Sequence, residues 1–69
     1  MIKVGQIYQT ERLEKFAITR VVGKQFHTIT PNGITEEFVA HKDIEEYWKL
    51  IAEYPTWQEA VNSKEFNDE

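Results

Sequence analysis

Between two stretches that alternate apolar and polar side chains, the chain carries Pro31-Asn32-Gly33. Proline presets the first turn residue, asparagine tolerates the next, and glycine accepts a positive φ at no steric cost. A hairpin must close here, so residues 34–40 return alongside residues 25–30. The turn alone leaves the register open. A slip of one residue exchanges which of Phe26 and His27 faces the interior.

The flanking sequence extends this hairpin into a sheet. Residues 4–10 have the β-branched and aromatic character of a first strand, and Gly5 marks a bend or a close backbone approach. Residues 11–15 are charged and lack apolar periodicity, which predicts a loop. Residues 16–22 form the clearest strand, with Phe16, Ile18 and Val22 on one face and Arg20 interrupting it. A bulge would turn Val21 inward instead. Gly23-Lys24 then reverses the chain into the third strand.

After the hairpin, residues 41–46 predict a single helical turn with Ile44 as its one apolar residue. Residues 47–51 read as a last strand with Trp48 and Leu50 on one face, and residues 52–55 as a connector ending at Pro55. Thr56 and Glu59 have the spacing of a capping box. The short helix it opens places Trp57, Ala60 and Val61 on one face, and residues 67–69 are expected to fray.

Together these elements predict a mainly β fold: a small SH3-like barrel of four to five antiparallel strands, over about residues 2–52. A one-turn helix precedes the last strand, and a short C-terminal α-helix covers about residues 56–66. A chain of 69 residues has room for one core, so residues 1–69 are expected to form a single domain. The terminal helix is too short to stand alone, so its Trp57 stripe must pack on an edge or end of the barrel. Trp48 is expected to seal the core.

Three segments carry a resemblance. They are Lys3-Val4-Gly5-Gln6-Ile7-Tyr8, the Pro31-Asn32-Gly33 turn, and the stretch from His41 through Tyr47-Trp48-Lys49-Leu50-Ile51. With the closing Pro55-Thr56-Trp57-Gln58-Glu59-Ala60-Val61, the chain resembles small SH3-like proteins encoded by phages and prophages of Gram-positive bacteria. The likeness implies a fold and a phage-related origin, and carries over neither an activity nor a functional residue.

Composition narrows the chemistry. There is no cysteine, which removes disulfides, thiolate metal sites and a cysteine nucleophile, and fits a reducing, cytoplasmic setting. No stretch has the length of a membrane span, and the start lacks the apolar run of a signal peptide. Ser63 is the only serine and lies far in sequence from His27 and His41, so a serine–histidine nucleophile is not expected. The two histidines lack metal-motif spacing; a His27 pair with Glu36 or Glu37 across the hairpin explains that neighbourhood as a solvated cross-strand contact. Adjacent Glu36-Glu37 point to opposite faces of a strand and make poor acid–base partners.

The net charge is −4, yet the basic residues gather in the first half and the acids in the second. The expectation is a non-enzymatic accessory or adaptor protein that works by contact with a protein partner. Its candidate contact residues are Tyr54, Trp57 and Val61, because Trp and Tyr dominate interface hot spots. The competing reading is a weak nucleic-acid binder using Arg12, Lys15, Arg20, Lys24, Phe26 and His27, against which the net acidity works. Neither reading requires a cofactor, a metal or a membrane.

Overall fold

The computed structural model describes residues 1–67. Its elements run β1 (Gln6–Gln9), β2 (Lys15–Val22), β3 (Gln25–Ile29), β4 (Thr35–Val39), α1 (Lys42–Tyr47), β5 (Lys49–Glu53), α2 (Trp57–Val61) and α3 (Lys64–Asn67). The five strands form one antiparallel sheet in the order β4-β3-β2-β1-β5. β4 and β5 are its two edges, so the sheet is open and does not close into a complete barrel.

The hairpin at Pro31-Asn32-Gly33 forms, with Gly33 at φ 84°, and its register is set by packing. Phe26 pairs with Phe38 and His27 with Glu37, which leaves Phe26 only 1% exposed and His27 on the outer face. In β2 the ladder shifts between Ile18 and Arg20. This bulge turns Val21 to the Phe26 side and Arg20 out beside His27. Val22 therefore leaves the face it would share with Phe16 and Ile18, and it is exposed.

Both faces of the sheet are covered near β1. On one face Ile2, Tyr8, Ile18 and Phe26 are buried together, with Phe38, Ala40, Ile44 and Trp48 packed against them. On the other, Ile7 and Ala17 meet Ala60 of α2 and Phe66 of α3. Gly5 joins these layers. Its N–H donates to the Ile18 carbonyl (3.0 Å) and its carbonyl accepts from the Tyr54 N–H (2.9 Å), at φ 94°. Gln6 is buried with both ends of its amide hydrogen-bonded: its Oε1 accepts from Lys3 N–H (2.8 Å) and Tyr8 O–H (2.9 Å), and its Nε2 donates to Glu53 Oε2 (3.1 Å). Burial pushes the Tyr8 phenol pKa up, with Glu45 and Glu53 adding to the shift.

Three elements differ from the sequence expectation. α1 has six residues rather than one turn, because the His41 side chain caps it: Nδ1 accepts from the Asp43 N–H (3.1 Å). The helix absorbs Tyr47, so Trp48 is its C-cap and β5 begins at Lys49. Trp48 folds onto the aromatic cluster on the same sheet face as Leu50, which pairs with Tyr8, but it precedes the strand, and Leu50 on the edge strand is 44% exposed. The terminal helix is two pieces. Ser63 Oγ donates to the Ala60 carbonyl (2.6 Å) and accepts from the Phe66 N–H (3.3 Å), which breaks the chain between α2 and α3. Thr56 does cap α2, accepting from the Glu59 N–H (3.2 Å), but only this half of the capping box forms among the described residues. Asn67 does not fray; its amide donates to the carbonyls of Val61 and Ser63. Asp68 and Glu69 lie outside the described residues.

Among the described residues, one buried side-chain polar atom has no hydrogen-bond partner. Thr28 Oγ1 is enclosed in the sheet with no hydrogen bond, and the residue is fully buried. Thr28→Val keeps the shape and removes the unmet hydroxyl, so it should stabilise the fold by about 1 kcal/mol. For a domain this small that raises the melting temperature by roughly 4–8 °C. A thermal melt with no increase would show that the hydroxyl is satisfied in solution.

Candidate functional site

The structure disperses the basic residues that the sequence grouped. Arg12 lies in the turn between β1 and β2, and Lys15 opens β2 with its Nζ donating to the Glu65 carbonyl (2.6 Å). Arg20 sits five residues further, about 16 Å along an extended strand. It pairs across the ladder with His27, and Lys24 occupies the next turn. His27 Nε2 is 3.2 Å from Glu37 Oε2, which places an acid within the patch. Phe26 belongs to the core and has no face to offer a base. His41 caps α1, remote in role from His27. No group of three His, Asp or Glu side chains among the described residues could hold a metal ion.

The Tyr54, Trp57 and Val61 cluster is divided as well. Tyr54 and Val61 pack against the layer between sheet and helices. The Tyr54 O–H donates to Glu65 Oε1, which ties the connector after β5 to α3 and holds the Glu65 carboxyl pKa below its ordinary value. Trp57 is half-buried and belongs to neither apolar cluster.

A different feature emerges at the end of the sheet where β1–β2 and β3–β4 turn. Both connections are built the same way. Thr10 N–H donates to the Glu14 carbonyl (2.9 Å), Leu13 N–H to the Thr10 carbonyl (2.9 Å), and Glu14 N–H to Thr10 Oγ1 (3.3 Å). Thr30, Gly33 and Ile34 repeat these three bonds at 2.9, 2.9 and 3.1 Å. The fourth residue of each turn is left-handed: Gly33 in one, Leu13 at φ 64° in the other. Leu13 is the one non-glycine residue with positive φ among the described residues, and it is 73% exposed.

Leu13 stands between two depressions. On one side a cleft of about 470 Å³ is lined by Thr10, Glu11, Arg12, Glu14, Tyr47 and Trp48, and it continues past Leu13 to Lys49. On the other, a groove of about 300 Å³ runs between the two turns, with Pro31, Ile34 and Phe66 on its walls. Tyr47 is 58% and Ile34 57% exposed, so this end of the sheet presents apolar side chains to solvent. In the sequence Leu13 lies within a charged stretch that predicts only a loop. The available signal was its offset of three from Thr10, which matches the offset of Gly33 from Thr30.

Among the described residues no helix is long and apolar enough to cross a membrane. Comparison with protein-family models, with curated proteins and with solved structures finds no match to this chain.

Proposed function

We propose that this chain is a small non-enzymatic adaptor or accessory protein of the cytoplasm, which acts by protein–protein contact through the turn that carries Leu13. The observation behind this reading is a leucine held left-handed and exposed where the sister turn uses glycine. A left-handed backbone costs a side-chain-bearing residue about 1–2 kcal/mol, and strained residues cluster where a surface is used rather than where it only folds. The apolar side chain so displayed sits at the rim of a cleft shared with Tyr47. Strand order supports an SH3-like arrangement, since β1 lies between β5 and β2 and a helix links β4 to β5. The phage-related origin rests on the sequence resemblance.

Leu13→Gly separates folding from contact. Relief of the left-handed strain, less the added freedom of the unfolded chain, should raise stability by roughly 0.5–1 kcal/mol. The same change should reduce capture of the partner from extracts of the native host, as should Tyr47→Ala. Undiminished capture by a stabilised Leu13→Gly protein would sink the reading. Salt-sensitive oligonucleotide binding that Arg20→Glu abolishes would replace it with the nucleic-acid reading.

A further inference from the structure

We infer that α1 is a pH-sensitive strap across the aromatic cluster, held down while His41 is neutral and loosened when its imidazole takes a proton. His41 is the N-cap of this helix, and its Nδ1 accepts from the Asp43 N–H (3.1 Å). A ring nitrogen accepts a hydrogen bond only when it carries no proton, so the cap requires the neutral imidazole with its N–H at Nε2. The favoured caps (serine, threonine, aspartate and asparagine) keep an acceptor oxygen throughout the neutral range. Histidine does not, because it changes charge between about pH 5 and 8.

Protonation turns the Nδ1 acceptor into a donor that faces another donor. The Asp43 carboxylate, with Oδ2 3.5 Å from Nδ1, then takes the place of the Asp43 amide as partner. Both side chains are mostly exposed (60% and 61%), so this ion pair returns less than the lost cap contributed. A cation at a helix N-terminus also opposes the helix dipole. Of the other charged groups around His41, Lys42, Glu45 and Glu46 belong to α1 itself. The Met1 amine rests on Glu45 (3.1 Å), and the Lys24 carbonyl accepts from the Ala40 N–H. Over the histidine range only histidine and the α-amino group take up protons among the residue types present, and the chain has two histidines and no cysteine. Protons on the other two groups work the opposite way. A charged His27 is drawn to Glu37 (3.2 Å) on the β3–β4 hairpin, and a charged amine to Glu45 on α1. Loosening of α1 on acidification is therefore the mark of His41. The folded helix favours the uncharged ring, so the cap's contribution is whole above the histidine range and lost as the pH falls through it.

What α1 holds gives the loss its reach. Ile44 packs on the cluster of Ile2, Tyr8, Ile18 and Phe26, and Trp48 packs there too as the C-cap, its N–H donating to the Ile44 carbonyl (2.8 Å). Tyr47, the last residue of the helix, walls the cleft beside the β1–β2 turn. A helix of six residues has little stability of its own, so without its cap it opens more often and carries all three side chains with it.

Amide hydrogen exchange followed by NMR at about pH 7.5 and about pH 5.5 tests this. Protection factors are compared, so that the intrinsic pH dependence of exchange divides out. Protection of the Trp48 N–H, which closes the helix, should fall about fivefold in the wild-type chain at the lower pH. His41→Asn keeps an acceptor without a titrating ring and should hold its protection at both. His41→Ala should show the lowered protection already at the higher pH. His27→Gln should lose protection on acidification as the wild type does. Position 41 is exposed, so each variant there should fold. Wild-type protection unchanged between the two conditions, an acid loss that persists in His41→Asn, or one that disappears in His27→Gln would each overturn the inference. It does not rest on the Leu13 contact: Leu13→Gly should show the same acid response whatever becomes of partner capture.

Discussion

Gly5→Ala is expected to cost about 3 kcal/mol or more, the sum of a strained backbone and an overpacked contact. A Cβ at Gly5 would lie 2.1 Å from the Tyr54 carbonyl oxygen and 3.1 Å from its carbon. Neither is the end of a flexible side chain, so only a backbone shift can relieve the clash. Such a shift pulls on both hydrogen bonds of Gly5, to Ile18 and from Tyr54, and so loosens β5 and the connector to α2 at once. A core of this size supplies only about 3–5 kcal/mol of net stability, so most of that stability should be lost. Gly23→Ala is the control. Gly23 also has positive φ, but nothing lies within 4 Å of its added Cβ, so it should cost about 1 kcal/mol. Urea unfolding of the two variants gives the comparison, and equal midpoints would mean that the Tyr54 backbone does not pack on Gly5.

Gly5 also shows what could be read from the chain and what could not. A glycine inside a β-rich stretch signals a close approach, and that much is local. Which backbone approaches is not local, because Tyr54 lies 49 positions away, as the residue numbers show. The same division holds elsewhere. The Pro31-Asn32-Gly33 turn follows from three residues' own φ preferences, whereas its register needed Phe26 and Phe38 to find the aromatic cluster. The strand-like composition of Tyr47-Trp48 hides the end of α1, and its length beyond one turn is hidden because histidine is not among the favoured N-caps. Whether the sheet closes depends on how far β4 and β5 curl toward one another, a quantity that alternation does not encode. The candidate site was the least legible part. Leu13 sits among charges, and its backbone strain shows only when its turn is laid beside the glycine-bearing one.

Trp48→Ala should destabilise the fold by about 3 kcal/mol, and Trp57→Ala by about 1 kcal/mol or less. Both indoles are half-buried, so exposure alone does not rank them. Their neighbours do. Trp48 stacks on Phe16 with ring centroids 4.8 Å apart, meets Phe38 and Phe26 edge-on at 5.2 and 6.0 Å, and tilts against Tyr8 at 6.2 Å. Removing it opens a cavity that touches β1, β2, β3 and β4 together, and those rigid rings collapse poorly into the space. Trp57 is the first residue of α2 and has no aromatic contact among the described residues; Ala60 and Phe66 make the buried contact for α2 and α3. Because the chain holds two tryptophans, each variant leaves a single indole as reporter. Chemical melts followed by circular dichroism give the stabilities, and the emission of the Trp57→Ala protein reports on Trp48 alone. That emission should be shifted to the blue when folded and move to the red in one step with the dichroism. If Trp57→Ala instead costs as much as Trp48→Ala, the helices are anchored through Trp57, and the interior is not the aromatic cluster centred on Trp48.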